Sequence, residues 1–150
     1  MSMDVKKSVV INKSPEELYR FWRNFENLPR FMNHIESVKV LDDKRSHWVA
    51  KAPLGTNVKW DAEIIKDEEG KAIVWKSLEG ADVDNTGSVS FSPTDNGSGT
   101  EVKVTMKYEP PGGAVGAIVA KLFGENPEQQ LEEDLNRFKQ VMETGTIPTA

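Results

Sequence analysis

Apolar residues recur along this chain with two different periods, and the switch between them marks out helices and strands. From Val5 to Asn12 the alternation is weak and ends in Val9-Val10-Ile11, which predicts a first strand. Ser14-Pro15-Glu16-Glu17 follows with an N-cap serine, a proline at the first helical position and a glutamate three residues after the serine, a capping box. Leu18, Phe21, Trp22 and Phe25 make the apolar stripe of the helix so begun, and Asn27-Leu28-Pro29 breaks it before a short second turn around Phe31 and Met32. From Ile35 the period is two. Val38 and Val40 flank Lys39; Trp48 and Ala50 alternate with His47, Val49 and Lys51; Val58, Trp60, Ala62 and Ile64 alternate with Lys59, Asp61 and Glu63. Further strands are predicted from Ala72 to Leu78, from Ser88 to Ser92, and around Val102, Val104, Met106 and Tyr108. Asp42-Asp43-Lys44, Pro53-Leu54-Gly55, Glu69-Gly70, Glu79-Gly80 and Asp95-Asn96-Gly97 are turn signals. Connections this short make neighbouring strands antiparallel.

The helical period returns between Gly113 and Glu143, in two pieces joined at Gly124-Glu125-Asn126-Pro127. In the first, Val115, Ile118, Val119, Leu122 and Phe123 carry the repeat and Ala114, Ala117 and Ala120 fill the other face, so it reads as buried on more than one side. The second is amphipathic. Leu131, Leu135, Phe138 and Met142 form one stripe, and Glu128, Glu132, Glu133 and Asp134 load the N-terminal half, where the helix dipole favours negative charge. Arg137 and Lys139 follow, and Gly145 stops it. An antiparallel sheet with one apolar face needs a cover, and this C-terminal helix is the element long enough to supply it. The expected architecture is α+β: a strand, two short helices, six strands and a long helix, in one domain over residues 1–150.

Composition narrows the chemistry. The length of 150 residues allows a sizeable core, and the absence of cysteine excludes disulfides, thiolate metal sites and a cysteine nucleophile. A net charge of -5, with the acids scattered, argues against a nucleic-acid partner. The start of the chain shows no apolar signal-peptide core, and Pro110 to Phe123 is shorter than the roughly 20 residues a membrane helix needs. The expectation is a cytoplasmic protein without cofactor or metal. His34 and His47 are the only histidines, and neither sits in a ligand spacing. His34, at a helix end, reads as a capping or surface residue, with acid–base work as the alternative. Asp61 and Glu63 share one strand face opposite Trp60, which makes them a solvated pair rather than a cleft dyad. Trp22, Trp48, Trp60 and Trp75 all fall on positions expected to face the interior, as core or as the lining of an apolar pocket.

Several runs carry a further resemblance. Phe21-Trp22-Arg23-Asn24-Phe25-Glu26-Asn27-Leu28-Pro29-Arg30-Phe31-Met32, His47-Trp48-Val49, Pro53-Leu54-Gly55 and Trp60-Asp61-Ala62-Glu63 are among them. So are Tyr108-Glu-Pro-Pro-Gly-Gly113 and the ending from Leu122 to Phe138. Together, from about Val9 to Ile147, the chain resembles the polyketide cyclase/dehydrase branch of the START-like (SRPBCC) superfamily. The resemblance implies a helix-grip fold, in which a seven-stranded antiparallel sheet curves around a long C-terminal helix with two short helices after the first strand. It also implies an apolar cavity between sheet and helix. The expected function is binding or transport of a small hydrophobic or amphipathic ligand, such as a lipid, an isoprenoid quinone or a polyketide. Trp22, Phe31, Trp48, Trp60, Trp75, Phe91, Met106, Val119 and Leu122 are the expected lining. An aromatase/cyclase using the same cavity is the alternative, with Asp61, Glu63 and His34 as the available titratable groups; a surface-acting stress or interaction protein is a third.

Overall fold

The computed structural model describes residues 3–51, 57–109 and 127–145. Strand β1 (Met3–Ile11) leads into helix α1 (Pro15–Arg23), whose start follows the capping box. The Ser14 hydroxyl accepts from the Glu17 N–H at 3.3 Å and donates to Glu17 Oε1 at 3.2 Å. The predicted stripe overruns the helix. Phe25 belongs instead to a 3₁₀ segment (Phe25–Arg30) that carries Pro29 inside it, and a short 3₁₀ turn tolerates the missing N–H better than a continuing α-helix would. Six strands follow: β2 (Ile35–Val40), β3 (Arg45–Ala50), β4 (Val58–Glu68), β5 (Ala72–Ser77), β6 (Asp84–Pro93) and β7 (Thr100–Glu109). Helix α2 (Pro127–Thr144) comes last among the described elements. The apolar helix expected from Val115 to Phe123 and the turn at Pro53-Leu54-Gly55 lie outside the described residues.

All seven strands form one antiparallel sheet in the order β1-β7-β6-β5-β4-β3-β2. The α1 and 3₁₀ segments therefore carry the chain from one edge of the sheet to the other. Alternation decides the faces. Trp48, Trp60, Trp75, Val89, Phe91, Val102 and Val104 are buried on the concave side, while Lys59, Asp61, Lys76 and Lys103 point outward. Two register shifts interrupt the alternation, one between Ile35 and Ser37 on β2 and one between Ile64 and Lys66 on β4, the second leaving Ile65 exposed.

The concave side is filled by aromatic rings. Trp48 and Trp60 are directly opposed on β3 and β4 and stack at 5.7 Å, and Trp75 stacks on Trp48 at 6.3 Å. Trp22 of α1 meets Phe31 and Phe138 at 5.2 Å each, and Phe31 meets Phe138 at 4.8 Å. Rings of this size dominate the apolar area removed from water, and the offset geometries add to it. Trp75 finds room because its partner across the ladder is Gly87: a Cβ at that position would lie 2.3 Å from Trp75 Cζ2.

Polar contacts fix the helices to the sheet. The Tyr19 hydroxyl donates to Asp67 on β4, and Arg23 Nε donates to the same carboxylate at 2.8 Å while its Nη2 reaches the Asp43 carbonyl at 2.7 Å. At the two edges, Lys7 of β1 pairs with Glu132 of α2 at 3.7 Å, and the Val40 N–H of β2 donates to Glu26 Oε2 at 3.0 Å.

Candidate functional site

The apolar stripe of α2 has one interruption. Leu131, Leu135, Phe138 and Val141 are buried on it, and Asp134 lies on the same stripe with its carboxyl turned inward and only 2% exposed. Near its Oδ2, at 3.8 Å, is Nδ1 of His34, whose side chain is 13% exposed. His34 gets there because the 3₁₀ segment ends at Arg30 and the chain turns through Phe31-Met32-Asn33 before entering β2; the His34 carbonyl then accepts from the Lys51 N–H at 2.9 Å. Asp134 holds that same turn through a hydrogen bond from the Asn33 N–H. Arg137, one helical turn on, donates through Nη2 to Asp134 Oδ1 and through Nε to the Phe31 carbonyl at 2.9 Å. From the sheet, Tyr108 near the end of β7 brings a buried phenol towards the same group, two residues after Met106 on the same face.

His34, Tyr108 and Asp134 line a partly open hollow of about 20 Å³, room for about one water. Val5, Met32, Met106 and Leu131 supply its apolar walls; His34, Tyr108, Gln130 and Asp134 supply the polar part. Outside the sheet are larger concavities, one of about 580 Å³ beside Tyr19 and Arg23, but that one is open to solvent and carries Arg20, Asp42, Asp43 and Glu69 on its rim. Chemistry that needs a shielded group belongs to the inner hollow.

Burial pushes the Asp134 carboxyl up to about 7, against the opposing pull of Arg137 and of the Asn33 N–H. Burial also pulls His34 down to about 4, helped by the positive charge of Arg137, so the imidazole is neutral at pH 7. We therefore read the 3.8 Å approach as a contact between a neutral ring and a carboxyl poised between its two states, not as an ion pair. Tyr108 is raised by burial and then by Asp134, which keeps its proton in place. Among the described residues, no group of three or more His, Asp or Glu is placed to hold a metal ion, and no helix is long and apolar enough to cross a membrane.

The model of the polyketide cyclase/dehydrase and lipid transport family matches residues 11–136. The chain belongs to this family. Its curved sheet and C-terminal helix are those of the START-like helix-grip fold. The crystal structure of DR_A0006 from Deinococcus radiodurans is 44% identical, with 96% of this chain and 99% of that one covered at a TM-score of 0.79. An uncharacterized 17.2 kDa protein of Streptomyces lincolnensis, encoded between melC2 and rnhH, is 28% identical over 139 residues, or 93% of this chain and 89% of its own. The Zhui aromatase/cyclase from a Streptomyces species covers 99% of this chain and 100% of that one at a TM-score of 0.73; at 11% identity the likeness is one of fold.

In this member of the polyketide cyclase/dehydrase family, the residues expected to line a cavity divide into two groups. Trp22, Phe31, Trp48, Trp60, Trp75 and Phe91 are brought together as the packed aromatic layer, and Met106 faces the hollow. Val119 and Leu122 lie outside the described residues. Asp61 is exposed and pairs with His47 across the β3–β4 ladder at 2.6 Å, on the outer face as the alternation requires. Two expectations are corrected. His34 is not a surface or capping residue, because the turn after the 3₁₀ segment points its ring inward. Asp134 does not serve the helix dipole from solvent but sits in the core, and Arg137 follows it in. The signal for Asp134 is present in the spacing: 131, 134, 135, 138, 141 and 142 trace one helical face, and an acid at its second position breaks that face.

Proposed function

We propose that this chain binds a small apolar or amphipathic molecule, of the lipid, isoprenoid-quinone or polyketide class, in the interior between its sheet and its C-terminal helix. Asp134 carries this reading. A leucine at that position would complete the stripe of α2, so a carboxyl held there against its own desolvation points to use and not to stability. Apolar walls with a few convergent polar groups at one end are also how ligand pockets are built. The hollow holds about one water as it stands, and Met32 and Met106, unbranched and flexible, are the walls able to give way to a larger body. Affinity would come from apolar burial, at about 25 cal/mol per Å² before the losses on ordering.

The test is a tryptophan-fluorescence titration against fatty acids, quinones and polyphenols, with Met106→Arg and Trp60→Ala alongside. Saturable quenching by one class, lost in Met106→Arg while its circular dichroism is unchanged, supports the reading. Silence from wild type across the panel would sink it.

A second reading rests on the same carboxyl. A group poised near neutrality beside a neutral imidazole is equipped for acid–base work, such as removing the α-proton and protonating the carbonyl oxygen as an aldol addition closes a poly-β-keto chain into a ring, and then assisting loss of that hydroxyl as water. Turnover of a poly-β-keto thioester that disappears in Asp134→Asn, with binding retained, would favour an aromatase/cyclase over a carrier.

A further inference from the structure

With Asp134 ionised, the polar cluster at the hollow is balanced in charge. Arg137, behind the lining, is bonded to Asp134 and to the Phe31 carbonyl, so the guanidinium and the carboxylate answer each other, and the described lining of the hollow contains no lysine or arginine. His34 and Tyr108 add polarity without charge. Resting on the binding reading above, we infer that the polar end of the ligand is uncharged, a hydroxyl or carbonyl group, and that carboxylate and amine heads are rejected. Either ion would leave one buried charge without a partner: an anion would compete with Asp134 for Arg137, and an ammonium would compete with Arg137 for Asp134. A hydroxyl both donates and accepts, so it fits a carboxylate, an imidazole or a phenol whichever of them is donating. The selection is thus made by Asp134 and Arg137 together. Neither residue alone would reject both signs of charge.

Three probes with one chain and three heads test this: decanol, decanoate and decylamine, titrated calorimetrically into the whole protein at about pH 8.5, where Asp134 is ionised, decanoate anionic and decylamine cationic. Wild type is expected to bind decanol at least about tenfold more tightly than either ion. In Asp134→Asn the amide keeps the hydrogen bond from Asn33 but leaves Arg137 unanswered, so decanoate is expected to gain about tenfold relative to decanol while decylamine does not. Wild-type binding of decanoate or decylamine as tight as that of decanol would overturn the inference and leave the binding reading standing. No heat from any probe would remove both. The wild-type comparison stands by itself if the variant fails to fold.

Discussion

Trp75 lies flat over Gly87, its direct partner across the β5–β6 ladder, with no space between them for a methyl group. The same ladder row continues to Met106 on β7, so the gap left by a missing side chain is occupied by indole on one side and adjoins the hollow on the other. Gly87→Ala would drive a Cβ into the ring of a tryptophan held between Trp48, Phe25 and Trp22. Overpacking of this kind destabilises by about 1–3 kcal/mol. Chemical denaturation should show that loss, together with a changed tryptophan emission in the native state. Gly80→Ala, where nothing lies within 4 Å, should leave the emission alone, although its φ of +92° adds a backbone strain of its own to the denaturation curve.

Asp134 and His34 make opposite contributions to stability over one pH range. The Asp134 carboxyl holds its proton more tightly in the folded state than unfolded, with about 7 against an ordinary value of 3.8, so its contribution is complete below about pH 4 and is lost as pH rises through 7. His34 holds its proton less tightly, with about 4 against 6.5, so its contribution is complete above pH 6.5 and is lost as pH falls through 4. Each has a limit of about 3–4 kcal/mol, and in the wild type they largely cancel. Denaturant melts of His34→Gln and Asp134→Asn, each taken as a difference from wild type between about pH 7 and pH 4.5, should therefore diverge. His34→Gln should gain on wild type as pH falls and Asp134→Asn should lose ground. Parallel curves would show that the two groups are not buried from water as described.

Tyr19 and Tyr108 are the only tyrosines of the chain, and neither should ionise at the usual value of 10. Burial and the hydrogen bond to Asp67 push Tyr19 up to about 12, and burial with Asp134 nearby pushes Tyr108 higher. A near-ultraviolet titration of phenolate should be flat through pH 10 and then rise, with the Tyr108 component appearing only as the protein unfolds. Tyr19→Phe should remove the first component and cost about 1–2 kcal/mol, since it takes one hydrogen bond from a carboxylate that Arg23 still satisfies.

The sheet was legible because its residues obey one rule with few exceptions. Trp60 stands between Lys59 and Asp61, and Trp48 and Trp75 each have one polar neighbour in His47 and Lys76, so period two assigned both the strands and their inner face. Strand ends were less legible: β6 begins at Asp84, four residues before the expected Ser88, because Asp84, Asn85 and Gly87 are poor strand formers that are held by pairing with β7 and, at Gly87, with β5. The site was hidden for a different reason. A glutamate-rich first half of a helix looks the same whether its acids are all solvated or one of them is buried, and only the angular position of Asp134 among Leu131, Leu135 and Phe138 tells them apart. His34 was harder still, since its direction depends on a turn whose geometry comes from the 3₁₀ segment before it and from Asp134, 100 residues later in the chain.

The contact between Glu26 and the Val40 N–H has a consequence for how copies of this protein meet at high concentration. β2 is an outer strand of the sheet, and the exposed Val40 and Leu41 would make its end a sticky template for another strand. A carboxylate already seated on that amide blocks the template at its most apolar point. Strand-to-strand growth into fibres must first displace it. Glu26→Ala should therefore leave the melting temperature nearly unchanged while shortening the lag before thioflavin-positive aggregates form on mild heating, and an unchanged lag would mean that the edge is guarded elsewhere.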